Sequence, residues 1–120
     1  VELFSVGVGV HRCLRASHVL AEQGIDAEVI DLRSVSPLDR ESVCQSVAKT
    51  GHLVVVDEDY REFGLSGEVA ASVCEAGIGM RFGRVCTEQT IPYARQLEDQ
   101  VLPSVQRIVD MVLHTVGVPN

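Results

Sequence analysis

Asp57, Glu58 and Asp59 are consecutive, and three carboxylates can hold magnesium or calcium. Their spacing matches no EF-hand loop, so a solvated loop tip is the other reading. Gly7-Val8-Gly9 follows an apolar stretch and precedes a helical pattern, where a dinucleotide site would need G-x-G-x-x-G. Arg12 stands where the third glycine belongs; what remains is a tight strand-to-helix turn. Gly64-Leu65-Ser66-Gly67 opens a helical segment and can present free N–H groups to an anion. It has no Gly-Lys-Ser/Thr, and its charged neighbours are acidic, so close packing of the helix on a neighbour is the expected reason for its glycines. His11, His18, His52 and His114 form no metal-binding spacing. His11 falls where a helix should begin, beside a possible cleft, and a surface or capping role is the more ordinary reading of it. No Ser or Cys occupies a nucleophile elbow. Cys13, Cys44, Cys74 and Cys86 lack any C-x-x-C pair; they read as small buried apolar residues of a reducing compartment.

Charge narrows the partners. Seventeen acids against ten bases give −7, and Lys49 is the only lysine. Phosphate-backbone binding needs clustered bases, so nucleic acid is excluded as a partner. An acidic surface instead suits solubility, or docking to a basic partner. No apolar run approaches the ~20 residues of a membrane span. The opening shows no signal peptide and no initiating Met, which suggests a fragment of a longer protein.

Strand and helix patterns alternate along the chain. Val1–Val8 reads as a strand, and a helix from Val10 places Val10, Cys13, Leu14, Ser17 and Ala21 on one face before Gly24 closes it. Ile25–Leu32 is the second strand. Ser36-Pro37-Leu38-Asp39 has the form of a helix N-terminus, with Ser36 as cap and Pro37 in the first turn, and the helix ends near Gly51. Leu53–Val56 is a continuous apolar run, as in a strand buried on both faces. Asp57–Phe63 reads as a polar loop, Gly64–Ala76 as a helix and Met80–Thr87 as a weaker fourth strand. Glu88–Leu102 is irregular and contains Ile91-Pro92-Tyr93; connections of such length are often functional. A last helix from about Pro103 places Val105, Ile108, Val109, Val112, Leu113 and Val116 on one face. Helical crossovers throughout imply a single α/β domain over 1–120, a doubly wound, largely parallel sheet between two helical layers. The expected visible strand order is 2-1-3-4.

Three segments, GVGVHRCLRASHVLAEQGIDAEVIDLRSVSPLD, KTGHLVVVDEDYREFGLSGEVAA and IPYARQLEDQVLP, together resemble the C-terminal domain of the transketolase-like superfamily. The Ile-Pro-Tyr-Ala segment with its following Leu-Glu-Asp and Leu-Pro is similar to the beta subunit of pyruvate and branched-chain 2-oxoacid dehydrogenases. The resemblance implies a parent enzyme that decarboxylates a 2-oxoacid on thiamine diphosphate and magnesium, then passes the acyl group to lipoyl-lysine. It places the diphosphate motif and the activating glutamate in segments other than this one, so no catalytic, cofactor-binding or metal-binding residue carries over. It further implies an antiparallel strand preceding this chain, beside the second strand. The implied partners are the alpha subunit, a second beta subunit and the basic subunit-binding domain of the acyltransferase component. The implied location is the bacterial or archaeal cytoplasm or the mitochondrial matrix. Alternatives are an independent flavodoxin-like binding module, or the C-terminal domain of transketolase or deoxyxylulose-phosphate synthase.

In a doubly wound sheet, ligands and partners meet the carboxyl ends of the strands where the strand order reverses. The residues expected to cluster there as a contact surface are His11, Asp57, Glu58, Asp59, Tyr60, Pro92 and Tyr93. Tyr93 is singled out because an aromatic ring with a polar tip suits a half-buried interface; packing onto its own domain is the other possibility.

Overall fold

The computed structural model describes residues 1–5, 8–32, 40–60, 65–87 and 104–117, without the side chains of Val8, Glu58, Asp59, Tyr60 and Thr87. Strand β1 (Glu2–Ser5) leads through α1 (Val8–Glu22) to β2 (Glu28–Asp31), and α2 (Arg40–Thr50) leads to β3 (His52–Tyr60). Helix α3 (Leu65–Glu75) connects to β4 (Arg81–Thr87), and α4 (Val105–Val116) follows. All strand pairs are parallel, in the order β2-β1-β3-β4. This is the order the alternating pattern predicts, with the apolar run Leu53–Val56 inside the sheet.

Two cores explain why that run is apolar on both faces. Val54 and Val56 join Leu3, Val85, Cys13, Ala16, Leu20, Ile108, Val109 and Val112 beneath α1 and α4. Leu53 and Val55 join Phe4, Leu32, Val43, Val47, Val69 and Val73 beneath α2 and α3. Alternate residues of one strand thus supply opposite layers, and neither face of Leu53–Val56 meets water.

The structure departs from the sequence reading in several places, β2 being shorter (Glu28–Asp31) than the expected Ile25–Leu32. The first strand ends at Ser5 and α1 begins at Val8, two residues earlier than the period change at Val10 suggests. Helix α1 is also rotated: its buried residues are Gly9, Cys13, Ala16 and Leu20, while Leu14 is 45% exposed and Ala21 is exposed. Small residues at 9, 13 and 16 let the helix close on the sheet, and hydrophobicity alone does not register them. Finally, Asp57–Tyr60 is not a loop but the end of β3. The ladder with β4 breaks after Val56↔Val85 and resumes at Tyr60↔Thr87. Such an irregularity lets a strand carry charged residues past the end of the core.

The expected cap Ser36-Pro37-Leu38-Asp39 lies outside the described residues. At the last helix the cap is Ser104, whose backbone is extended (φ −117°, ψ 163°) and whose Oγ accepts from the Arg107 N–H. None of the described helices is long and apolar enough to cross a membrane.

Candidate functional site

Strands β1 and β3 are neighbours, and the helices that follow them pack on opposite faces of the sheet. The strand order therefore reverses between them, and their carboxyl ends frame the candidate site. Ser5 closes β1. It is buried, and its Oγ donates to the Val56 carbonyl oxygen at 2.7 Å, tying β1 to β3 at this end. Gly9 sits above it: a Cβ there would run into the Ser5 hydroxyl. The second glycine of Gly7-Val8-Gly9 is thus needed for the approach of α1 to the sheet, the turn reading of that motif. Gly7 lies outside the described residues.

Asp57 continues β3, half-buried, and its Oδ2 accepts from the Leu65 N–H at 3.1 Å. A carboxylate at that position satisfies one of the free N–H groups at the start of α3 and opposes the positive end of the helix dipole. One of the three clustered acids is therefore engaged in joining β3 to α3. Glu58, Asp59 and Tyr60 follow it in the strand, their side chains outside the described set. His11 is exposed near the start of α1. Pro92 and Tyr93 lie outside the described residues. Of the seven expected contact residues, the structure thus brings Asp57 and the backbone of 58–60 to the carboxyl end, with His11 on the first helix leaving it.

Gly67 does not serve close packing, contrary to the expectation for its segment: nothing lies within 4 Å of a Cβ built there. Ser66 is the buried member, accepting from the Cys86 thiol at 3.5 Å. The cysteines also differ from a uniform buried set. Cys13 and Cys86 are buried, Cys44 is half-buried and Cys74 is exposed. Burial pushes the Cys13 thiol up to about 12, the Ser5 hydroxyl offsetting this in part, so Cys13 stays a neutral thiol and a poor nucleophile.

Two residues with a role in the geometry were not picked out from the sequence. Arg107, in the first turn of α4, donates to the Cys86 carbonyl oxygen at 2.9 Å and fastens that helix to the end of β4. A lone arginine in an apolar helical pattern is its only signal. Glu2, at the opposite end of β1, is fully buried; one acid in a strand-like opening is easily passed over.

Chemically, the described carboxyl end is a set of anchoring contacts. The Ser5 hydroxyl is committed to a carbonyl, Asp57 to a helix start and Arg107 to a strand end. Among the described residues no three of His, Cys, Asp and Glu are grouped to hold a metal ion.

Comparison with known proteins completes the description. Residues 1–108 match the family described as Transketolase, C-terminal domain. The beta subunit of acetoin:2,6-dichlorophenolindophenol oxidoreductase from Bacillus subtilis (strain 168) is 37% identical over 123 residues, covering 99% of this chain and 36% of its own. The beta subunit of the pyruvate dehydrogenase E1 component from Rhizobium meliloti (strain 1021) is 38% identical, covering 92% of this chain and 25% of its own. The mitochondrial pyruvate dehydrogenase E1 beta subunit of Homo sapiens is 36% identical, covering 91% and 32%. The chain thus spans about a third or less of these relatives' length. A solved structure titled "Split gene transketolase, inactive beta4 tetramer" superposes with a TM-score of 0.87 at 24% identity, over 99% of this chain and 40% of that one, which shows a shared fold.

Proposed function

Given that the chain belongs to the transketolase C-terminal domain family, we propose that it is the assembly and docking domain of a thiamine-diphosphate-dependent dehydrogenase beta subunit. In this reading residues 1–120 form one domain and contribute contacts rather than catalytic groups. The observation that carries it is the carboxyl end of the sheet, where Ser5, Asp57 and Arg107 each fix a strand end or helix start. An end held together in this way is suited to presenting a surface, with Ser5, Asp57 and Arg107 engaged in internal hydrogen bonds.

The parent enzyme would decarboxylate a 2-oxoacid, pyruvate or a branched-chain one, on thiamine diphosphate with magnesium, and transfer the acyl group to lipoyl-lysine. The contact surface would consist of His11, Asp57, Glu58, Asp59, Tyr60, Pro92 and Tyr93, meeting the alpha subunit and the second beta subunit. The net charge of −7 supports docking of the basic subunit-binding domain of an acyltransferase, since complementary charge speeds encounter. Relatives of both bacterial and mitochondrial origin support a bacterial cytoplasm or mitochondrial matrix as its place.

A second reading has its own support: the acetoin oxidoreductase beta subunits of Bacillus subtilis and Cupriavidus necator are 37% and 40% identical to this chain. The parent's substrate would then be acetoin, with the scissile carbon–carbon bond still adjacent to a carbonyl. Turnover of the assembled parent with pyruvate, a branched-chain 2-oxoacid and acetoin separates the two. The assembly role itself is tested by Tyr93→Ala in the full-length beta subunit with its alpha subunit. Loss of the heterotetramer in sedimentation, with the domain's melting unchanged, is the expected result. An intact tetramer with full turnover would remove Tyr93 from the surface, and an unfolded domain would assign it to internal packing.

A further inference from the structure

At the amino end of the sheet, away from the surface described above, Glu2 is 0% exposed. Neither of its carboxylate oxygens has a hydrogen-bond partner among the described residues. Its register partner on β2 is Glu28, and on its other side stands Leu53 of β3. A buried carboxylate without donors is among the more costly arrangements in a fold, and two carboxylates side by side cannot both ionise cheaply. One proton resolves both difficulties, because a carboxyl on one residue donates to the carboxylate of the other. We propose that Glu2 and Glu28 are a proton-operated clasp that seats strand β2 on β1.

The position gives the clasp leverage. Strand β2 is four residues long and pairs only with β1 among the described strands. Glu2↔Glu28 is the first of its four register pairs. The same end is held by the Glu28 N–H donating to the Val1 carbonyl oxygen at 2.9 Å, and the far end by the Leu32 N–H donating to Ser5 at 2.8 Å. Repulsion between the two carboxylates therefore acts on the first rung of a short ladder. The charged groups facing Glu2 are Glu28 from β2, Lys49 from α2 and the chain's amino group; β3 contributes the apolar Leu53. Burial first, then Glu28, push Glu2 up from 4.5 to about 7, the amino group and Lys49 opposing the shift.

The sign follows from linkage. Glu2 binds its proton more tightly folded than unfolded, so its contribution is complete below about 4.5 and is lost as the pH rises through about 7. Between those limits the folded-to-unfolded ratio falls on the order of a hundredfold on account of this group. His52, its Nδ1 2.9 Å from the Thr50 carbonyl oxygen, also borders this end of the sheet. A pH curve alone therefore does not identify the group; substitution does.

The test is chemical denaturation and amide hydrogen exchange of the 120-residue chain between pH 5 and 8, exchange being corrected for its intrinsic pH dependence. The wild-type chain should lose stability across that range, and the Glu28 amide should lose protection at least about tenfold more than Leu32, because local opening starts at the repelling pair. Glu2→Gln keeps the shape and removes the charge, so both changes should vanish. Glu28→Gln keeps Glu2 but removes its repelling neighbour, so Glu2 ionises more readily and the loss should move to a lower pH window. A pH-independent wild type, an unchanged slope in Glu2→Gln, or a midpoint in Glu28→Gln that stays in place or rises would overturn it.

Discussion

Gly83 shows how much one side chain's absence can decide. It is buried in β4 where α4 crosses, and a Cβ there would stand 2.5 Å from the Thr115 Oγ1 and 2.8 Å from the Met111 Sδ. Gly83→Ala is expected to destabilise the chain by about 1–3 kcal/mol, the usual penalty of overpacking, as read by urea denaturation; a neutral result would mean that α4 is free to shift outward. At Asp57 the loss is of a hydrogen bond. Asp57→Ala leaves the Leu65 N–H without its acceptor and should cost about 1 kcal/mol, with exchange of that amide faster than in the wild type. Neither role was legible beforehand. Asp57 looked like one of three equivalent acids because a sequence does not say which carboxylate reaches the next helix. Glu2 gave no pattern at all, since its partner Glu28 is 26 residues away and only the parallel register joins them.

At the scale of elements, the apolar period was sufficient where a whole face is greasy and insufficient where close approach decides. Helix α4 buries Ile108, Val109 and Val112, as its pattern predicts. Helix α1 instead seats Gly9, Cys13, Ala16 and Leu20, and the reading that put Leu14 inside followed size rather than fit. Replacing each leucine with alanine distinguishes the two faces. Leu20→Ala should cost about 2–5 kcal/mol as a core truncation, and Leu14→Ala should stay within about 0.5 kcal/mol as a surface change. Equal losses in denaturation would return α1 to the orientation first read from its sequence. The length of β3 escaped for a different reason. Asp57, Glu58 and Asp59 are poor strand formers, yet the strand continues past an irregularity to meet Thr87. Pairing with β4 outweighs propensity there.

For the molecule as a whole, strand order was the most legible property. An alternating chain with one two-faced strand leaves few parallel arrangements, and β2-β1-β3-β4 is the one adopted. The contact surface was legible only as a location, because its residues come from three separate segments of the chain and part of it, including Pro92 and Tyr93, falls outside the described residues. The proposed role makes a negative prediction: titrated with thiamine diphosphate and magnesium in a calorimeter, the isolated chain should give no saturable heat, and a one-to-one isotherm would reassign it as a cofactor-binding domain. The most direct measurement compares deuterium uptake of the full-length beta subunit alone and assembled with its alpha subunit. Assembly should slow exchange in residues 7–11, 57–63 and 91–93 and leave the turns at 23–27 and 76–80 unchanged. Slowing confined to those amino-end turns, or none in this domain, would contradict a docking role for the carboxyl end of the sheet.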